Sequence, residues 1–295
     1  MSVIEINHIT KNYGNHKGLF DVNFSVEKGE IVGFLEPNGA GKTTLIRHLM
    51  GFIKPDSGTV SILGKDCFHS ASEIQKKTGY LPGEIAFLDD MTGDAFLKFV
   101  AEMKQMKDLS YMKELCDFLE LNPKGRLRRM SKGMKQKIGI IIAFMDHPEI
   151  LLLDEPTSGL DPLMQNKFVE LIQKEKQNGT TILMSSHMFE EVENTCNRVV
   201  MIREGQLIAD ENMDTLLRKR NRICTITFDS KDDLLSFVRA YPDSDQTGNS
   251  VTLETKGGID SLIKELSKYT VRDLQMRTPT LEELFLQQYG GRKHD

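Results

Sequence analysis

A glycine-rich segment, "FLEPNGAGKTT" at residues 34–44, combines residue types that bind phosphate in proteins. It follows the apolar run "EIVGFL", which predicts a buried strand, and it leads into the helical pattern "GKTTLIRHLMGF". Backbone N–H groups at such a junction converge on an anion together with the positive end of the helix. The Lys42 ammonium adds a charge for the terminal phosphates, and the Thr43 hydroxyl suits a Mg²⁺ ion. The candidate phosphate-binding residues are Asn38, Gly39, Ala40, Gly41, Lys42, Thr43 and Thr44.

Two acidic residues end another apolar run, "EILLLDE" at 149–155. They would lie at the carboxyl end of a buried strand, where open α/β sheets bind ligands. Asp154 suits Mg²⁺ binding, either directly or through water. Because side chains alternate along a strand, Glu155 need not point at the same atom, and it is a candidate general base for an attacking water. Helix capping is the alternative explanation for an acidic pair at this place.

Hydrophobic periodicity predicts the elements that must position these groups. Alternation in "SVIEINHIT" and "GLFDVNFSV" predicts two half-buried strands, and "TTILMSSH" and "NRVVMIREG" predict buried ones. Strands that alternate with helical patterns favour a parallel sheet. Residues from about 84 to 147 have helical patterns and no convincing strand, so we predict a helical insertion whose last helix is stopped by Pro148.

A basic stretch, "RKRNR" at 218–222, separates this part of the chain from a second α/β pattern. Strands are predicted at "CTITF", "SVTLET" and "VRDLQM", and helices at "KDDLLSFVRAY", "GIDSLIKELSKY" and "LEELFLQQY". Thr280 and Glu283 have the spacing of a capping box before the last helix. We therefore predict a first domain at 1–215, a linker at 216–222 and a small α/β domain at 223–295.

The composition is that of a soluble globular protein, with 39% hydrophobic and 27% charged residues among 295. A net charge of −5 gives no global reason to expect nucleic acid or an anionic membrane as a partner. The four cysteines are widely separated, which indicates reduced thiols instead of a zinc site or disulfides. The longest apolar run, "IGIIIAFM", is far shorter than the ~20 residues of a membrane helix, so any membrane span must come from another chain.

Four motifs occur in the order and rough spacing of the ATP-binding cassette (ABC) superfamily, which the chain resembles over about residues 1–212: "PNGAGKTT", "MSKGMKQK", "ILLLDEPTSGLDP" and "ILMSSH". The resemblance implies a P-loop NTPase α/β fold with a mixed sheet core, an antiparallel β portion and a helical subdomain at about 84–147. It implies ATP and Mg²⁺ as ligands. Lys42 and Glu155 match catalytic positions, and Thr43 and Asp154 match the metal site.

The resemblance also assigns roles to residues elsewhere in the chain. Ser131 and Gly133 match the signature that closes over the γ-phosphate of ATP held by the opposite subunit, and Ser131 is a good N-cap for the helix that follows. His187 matches a histidine that hydrogen-bonds the γ-phosphate and helps hold the water that Glu155 activates, although a lone histidine at a strand end is usually structural. Tyr13 matches the aromatic residue that stacks on adenine.

Three sites depart from the family's pattern. Glu36 replaces the first glycine of the phosphate loop; in the family this position lies at the strand exit, so we expect the side chain to point outward at some electrostatic cost. Gly83 followed by Glu84 replaces a glutamine that links nucleotide to the helical region, which makes Glu84 a candidate group near the metal. Lys132 and Met134 replace glycine and glutamine of the signature. The last two departures resemble ATPases of bacterial ABC-2-type drug and antibiotic exporters.

The leading interpretation is the ATP-hydrolysing subunit of an ABC transporter that exports drug-like, antibiotic-like or lipidic substrates. We expect ATP to close two copies head to tail as a homodimer on a separate integral membrane permease, with no nucleic acid partner. The protein would then be cytoplasmic and peripheral on the inner face of the cell membrane. The alternative is a soluble ABC-type ATPase that acts on nucleic acid or the ribosome, but such proteins usually have two cassettes or a long coiled-coil insertion. A GTPase would need an N-K-x-D motif, which "NKFVE" at 166–170 lacks.

Overall fold

The computed structural model of the protein describes residues 1–36, 41–88, 90–218, 220–255 and 259–289. The chain divides into two compact units, Met1–Met213 and Asp214–Asp295. Within the predicted linker at 216–222, a helix at Met213–Arg218 covers the start and a strand at Arg222–Phe228 begins at the end. The boundary between the units therefore lies at the start of that helix and not within the basic stretch.

The first unit combines strands and helices in alternation. Its strands are β1 (Ser2–Asn12), β2 (Gly18–Glu27), β3 (Ile31–Leu35), β4 (Ser57–Ile62), β5 (Lys65–Asp66), β6 (Thr78–Leu81), β7 (Ile150–Asp154), β8 (Thr181–Ser186), β9 (Arg198–Arg203) and β10 (Gln206–Asn212). Its helices are α1 (Lys42–Leu49), α2 (Ala71–Gln75), α3 (Gly93–Met103), α4 (Ser110–Phe118), α5 (Lys132–Phe144), α6 (Pro162–Asn178) and α7 (Phe189–Thr195), with α8 (Met213–Arg218) at the boundary. Strands β4, β5, β6 and β10 were not predicted, because they are short or only partly buried.

A six-stranded sheet in the order β10-β9-β3-β8-β7-β6 forms the centre of this unit. Its neighbouring strands pair in parallel except for β9 and β10. Every residue of β3, β7 and β8 is buried, which explains why these strands are nearly continuous apolar runs in the sequence. Because β3, β8 and β7 are adjacent and parallel, the segments that follow them meet at one edge of the sheet.

An antiparallel sheet in the order β2-β1-β4-β5 completes the first unit. Its buried residues share one hydrophobic core with α1 and with one face of the central sheet. Phe24 of β2 and Phe34 of β3 stack within this core, with ring centroids 5.8 Å apart. The predicted combination of a mixed sheet and an antiparallel portion is therefore confirmed.

The region at 84–147 contains α3, α4 and α5, as predicted. Its described residues form no strand, apart from one isolated bridge between Thr92 and Arg126. Helix α5 ends at Phe144, four residues before Pro148, so the proline lies beyond the end of the helix and does not terminate it directly. Among the helices that the structure describes, none has both the length and the hydropathy to cross a bilayer.

The second unit is a smaller α/β structure. Its elements are β11 (Arg222–Phe228), α9 (Lys231–Ala240), β12 (Asp245–Thr247), β13 (Ser250–Thr255), α10 (Ile259–Leu266), β14 (Val271–Arg277) and α11 (Leu281–Tyr289). Its strands form an antiparallel sheet in the order β12-β13-β11-β14. The capping box is present, since the Thr280 hydroxyl accepts from the N–H of Glu283 at 3.2 Å and the Glu283 carboxylate accepts from the N–H of Thr280 at 2.8 Å. The predicted strands and helices are all found, and β12 is an addition.

The close packing of α5 against β6 depends on a glycine. A Cβ atom built on Gly79 would lie 2.0 Å from the carbonyl oxygen of Ala143, and backbone cannot yield as a flexible side chain can. We expect Gly79→Ala to destabilise the first unit by about 3 kcal/mol, because overpacking a well-filled core costs roughly 1–3 kcal/mol or more. Urea unfolding followed by circular dichroism measures this change.

Gly125→Ala is the matched control for that measurement. A Cβ atom there would meet only the Met130 methyl carbon, at 3.7 Å, which is an ordinary van der Waals distance. We expect the control to change the free energy of unfolding by less than about 0.5 kcal/mol. Equal effects of the two substitutions would show that α5 and β6 are not packed as described.

Candidate functional site

Lys42 joins the phosphate loop to the end of β7. It is the first residue of α1 and is only 4% exposed. Its Nζ lies 2.9 Å from Glu155 Oε1 and donates to the backbone carbonyl oxygen of Glu36 at 3.1 Å. A buried ammonium is thus held by a carboxylate and a carbonyl, and a phosphate group that enters this loop would compete for the same cation.

Glu36 is buried, so the prediction that its side chain points outward is wrong. The residue is 1% exposed. A Cβ atom built on Gly41 would lie 3.8 Å from Glu36 Oε1, 2.6 Å from Ile202 Cδ1 and 3.0 Å from Leu19 Cδ2. The Glu36 side chain therefore turns inward, and it lies around Gly41 together with these apolar groups of β2 and β9. Its carboxylate therefore lies near the amino end of α1, where the helix dipole favours a negative charge.

Thr43 and Asp154, the two predicted metal ligands, lie together. The Thr43 hydroxyl donates to Asp154 Oδ2 at 2.7 Å, and the Ser185 hydroxyl donates to Asp154 Oδ1 at 2.5 Å. Ser185 is the register partner of Asp154 on the adjacent strand β8, so their contact follows from the pairing of β7 with β8. Carboxylate and hydroxyl oxygens are the donor type that Mg²⁺ selects, and the pair fits that ion.

The Glu155 side chain lies against Lys42 and His187. Its backbone has a φ of 48°, unusual for a residue other than glycine, and its N–H is shared by the carbonyl and hydroxyl oxygens of Ser185, both at 3.1 Å. His187 Nδ1 lies 3.3 Å from Glu155 Oε2. Burial raises the pKa of Glu155, but Lys42 and His187 outweigh this effect and hold the pKa below its ordinary value. The three predicted catalytic residues therefore meet, with the carboxylate in the ionised form that a general base needs.

Ser131 and Gly133 lie at the amino end of α5. The Ser131 hydroxyl accepts from the N–H of Met134 at 3.2 Å, which confirms the predicted N-cap. A Cβ atom on Gly133 would lie 2.8 Å from the carbonyl oxygen of Gly159, so this glycine permits close contact with the "SGLD" loop of the same chain.

Lys132, a departure from the family's signature, also contacts the "SGLD" loop. Its Nζ donates to the Ser158 hydroxyl at 3.0 Å. Its aliphatic carbons lie 3.0–3.2 Å from a Cβ atom built on Gly159, a glycine with a φ of 80°. The lysine thus covers a part of the loop that only glycine can form, and it ties the signature to that loop.

The remaining predicted residues are placed as follows. Gly83 lies against the metal site, because a Cβ atom there would be 3.1 Å from Asp154 Oδ2, whereas Glu84 is exposed. Tyr13 is 55% exposed and available for stacking. Thr44 follows Thr43 in the first turn of α1. Asn38, Gly39 and Ala40 lie outside the described residues.

Two residues of this site were not predicted. Ser185 orients Asp154. Its role could have been found in the sequence, because aligning the carboxyl ends of β7 and β8 places Ser185 beside Asp154. Gln136 is 3% exposed on α5 and donates to the carbonyl oxygens of Pro156 at 2.8 Å and of Glu155 at 3.4 Å. No local pattern marks Gln136, because its partners are about 20 residues away along the chain.

Ser185→Ala tests the support of Asp154. A hydrogen bond to a charged group contributes about 1.5–3 kcal/mol, so we expect kcat/KM for ATP to fall roughly 10- to 100-fold and the Mg²⁺ requirement to rise. ATPase assays over a range of Mg²⁺ concentrations measure both. The control is Ser61→Ala, whose hydroxyl contacts Glu5 on the antiparallel sheet at 3.3 Å. A Ser185→Ala rate equal to that of the control would contradict the assignment.

Known proteins resemble this chain along most of its length. The model of the family described as "ABC transporter" matches residues 19–158. The bacitracin transport ATP-binding protein BcrA of Bacillus licheniformis is 32% identical over 311 aligned positions that cover 98% of each protein. The linearmycin resistance ATP-binding protein LnrL of Bacillus subtilis (strain 168) is 30% identical over 99% of this chain and 100% of its own.

Solved structures resemble the fold of the first unit. An ATP binding subunit of an ABC transporter aligns with a TM-score of 0.66 and 29% identity, over 74% of this chain and 93% of the other. The dimeric cassette MJ0796 aligns with a TM-score of 0.64 over 71% of this chain and 98% of its own, and at 22% identity it shows the likeness of fold alone. Since relatives at least 30% identical match it nearly from end to end, the chain belongs to the ATP-binding proteins of ABC transporters, a family of ATPases.

Proposed function

We propose that this chain hydrolyses ATP at the site of Lys42, Glu155 and His187, and that hydrolysis drives a separate membrane permease to export an antibiotic-like or lipidic compound. The observation that carries the proposal is the ionised Glu155 held between Lys42 and His187, directly beside Thr43 and Asp154. The printed functions of two relatives, bacitracin transport and linearmycin resistance, support the substrate class.

ATP binding would change the partner of Lys42. The phosphates of ATP compete with Glu155 for the Lys42 ammonium, which Glu155 Oε1 contacts at 2.9 Å. Once Lys42 pairs with phosphate, Glu155 loses a neighbour that lowers its pKa, and its carboxylate becomes a stronger base. Glu155 then takes a proton from the attacking water, and His187 holds that water and the γ-phosphate. The water then bonds to the γ-phosphorus, and ADP leaves with the electrons of the broken phosphorus–oxygen bond. Binding of the nucleotide thus frees the base that activates the attacking water.

Thr43 and Asp154 would hold Mg²⁺ together with the phosphates. The ion neutralises charge that develops on the transferred phosphoryl group. Ser185 keeps Asp154 oriented, and Gly83 leaves room beside the same carboxylate. The amides of 38–44 would bind the phosphates, and Tyr13 would stack on the adenine.

Two copies of this chain would form the complete ATP site. In this proposal Ser131 and Gly133 of one copy bind the γ-phosphate held by Lys42 of the other. The amino end of α5 carries the positive end of the helix dipole, and the Ser131 hydroxyl caps it, so the segment suits an anion. A homodimer is the simplest assembly with such a head-to-tail interface.

A patch on α3 suits the membrane partner. It consists of Phe87, Leu88, Phe96, Phe99 and Met103, and its ring centroids lie 5.3 Å apart for Phe87 and Phe96 and 6.4 Å apart for Phe96 and Phe99. Leu88, Phe99 and Met103 are 54%, 40% and 69% exposed. Phe99 and Met103 lie one turn apart on α3, and adjacent exposed apolar side chains suit an interaction site. We place the permease on this α3 patch, with the protein on the cytoplasmic face of the membrane.

The α3 patch adjoins the segment that leads back to Asp154. Phe87 and Leu88 follow Gly83 and Glu84, and Gly83 lies against Asp154. Pressure of the permease on the patch would therefore move Glu84 relative to the metal site. In this proposal Glu84 couples the permease to the bound nucleotide. No specific observation favours the nucleic acid or ribosome alternative.

Glu155→Gln tests the catalytic base. Glutamine keeps the shape of the side chain but cannot take a proton, so we expect ATP turnover to fall about 10²- to 10⁴-fold while ATP still binds. The variant should accumulate as an ATP-bound dimer in size-exclusion chromatography with light scattering. Glu149→Gln is the matched control, because Glu149 precedes the same strand and pairs with the exposed Lys77. Wild-type turnover in Glu155→Gln would exclude Glu155 as the base.

Phe99→Ser combined with Met103→Ser tests the α3 patch. Both side chains are exposed, so we expect basal ATPase activity and stability to change little, while co-purification with the permease from detergent-solubilised membranes falls at least tenfold, since each anchor truncated at an interface costs about 1–2 kcal/mol. The control is Leu235→Ser, a similarly exposed leucine of the second unit. Undiminished co-purification of the double variant would remove the α3 patch from the interface.

A further inference from the structure

Glu191 is a buried carboxyl group that the proposed reaction does not use. It lies in the first turn of α7 and is 6% exposed. Helix α7 packs closely on β3, because a Cβ atom built on Gly33 would lie 2.5 Å from Val192 Cγ1. The helix that carries Glu191 is therefore pressed against the strand that leads into the phosphate loop.

One oxygen of Glu191 connects to the segment that carries His187. The Ser186 hydroxyl donates to Glu191 Oε2 at 2.5 Å and accepts from the N–H of Met188 at 2.9 Å. Ser186 and Met188 are the residues on either side of His187. The Ser186 hydroxyl, which is bound to Glu191, thus restrains the backbone on both sides of His187.

Glu191 also interacts with the segment that follows Glu155. Thr157, two residues beyond Glu155, is 5% exposed, and its hydroxyl and the Glu155 charge both act on Glu191. Within the part of the chain that the structure describes, Glu191 Oε1 has no partner of hydrogen-bond geometry. Burial raises the pKa of Glu191 to about 7; the Ser186 and Thr157 hydroxyls oppose this rise and Glu155 adds to it.

The two protonation states of Glu191 differ in what they can hold together. In the neutral form, Oε2 still accepts from the Ser186 hydroxyl and no charge is buried. In the ionised form, a buried charge faces Glu155 with one oxygen unsatisfied, which is costly. Glu155 and Cys196 are titratable groups that interact with this charge, and burial raises the pKa of Cys196 to about 12, so that thiol stays protonated.

We propose that Glu191 is a positioning residue for hydrolysis: in its neutral form it holds the segments of His187 and Glu155 in register, and its ionisation loosens them. The proposal rests on the ATPase activity proposed above. Glu191 contacts neither Lys42 nor Asp154 among the described residues, so its effect falls on turnover and not on nucleotide affinity.

The test compares Glu191→Gln with wild type across pH 6 to 8 in the purified full-length protein. Glutamine is neutral at every pH, so we expect wild-type kcat to fall about tenfold relative to the variant over this range as Glu191 ionises, with KM for ATP within twofold. Glu190→Gln is the matched control, because Glu190 is the exposed neighbour on the same turn. The control should keep the wild-type pH profile. Because all three proteins contain His187, a difference between their profiles does not come from the loss of that residue.

A second readout does not depend on activity. The folded state binds the Glu191 proton more tightly than the unfolded state, so wild-type stability should fall as pH rises from about 4.5 to about 7, and Glu191→Gln should lack this decline. Denaturant midpoints measured across that range give the comparison. Glu191→Ala should lower kcat at least tenfold at pH 6. If this variant fails to fold, the comparison of Glu191→Gln with wild type still tests the proposal.

Some outcomes would overturn the proposal. A wild-type pH profile in Glu191→Gln, or wild-type kcat in Glu191→Ala at pH 6, would show that Glu191 does not position the site. If wild type hydrolyses ATP and either result is found, only this inference fails. If wild type hydrolyses no ATP, the proposed function itself fails.

Discussion

The parallel pairing of β3 with β8 and of β8 with β7 is the constraint on which the site depends. The functional residues lie at the carboxyl ends of these strands: the phosphate loop follows β3, Asp154 and Glu155 lie at the end of β7, and His187 follows β8. Since adjacent parallel strands end at the same edge, residues more than 100 positions apart come within hydrogen-bond distance, as Thr43 and Asp154 do. The buried strands behind this edge hold it rigid.

Much of this arrangement could be predicted from the sequence, because local patterns carry it. Fully buried parallel strands are apolar runs, and such runs precede Asp154 and His187 directly. Lys42 follows from the spacing of a glycine-rich loop. Glu155 lies beyond the end of β7 with a φ of 48°, so the alternation of side chains along the strand does not decide its direction. Strands β4 and β10 were missed because they are partly exposed and lack a strong period.

The rest could not be predicted, because it depends on contacts between distant segments. Glu36 is buried beside Gly41, around which Leu19 and Ile202 come from two other strands, and nothing near Glu36 in the sequence shows this. Gln136 likewise reaches backbone carbonyls beyond β7 from α5. Glu191 follows an ordinary pattern for the first turn of a helix, and only the fold reveals that it is buried between two loops. Local composition reports periodicity, whereas burial of a polar side chain is decided by tertiary packing.

The hydrogen bond from Lys42 to Glu36 goes to a main-chain carbonyl oxygen, a group that every amino acid supplies. The lysine therefore places no demand on the side chain at position 36. Replacement of the first motif glycine, here by a glutamate, leaves that contact intact. Genome searches that require a glycine at this position will overlook cassettes of this kind, and a census of such ATPases built on the strict pattern will be too small.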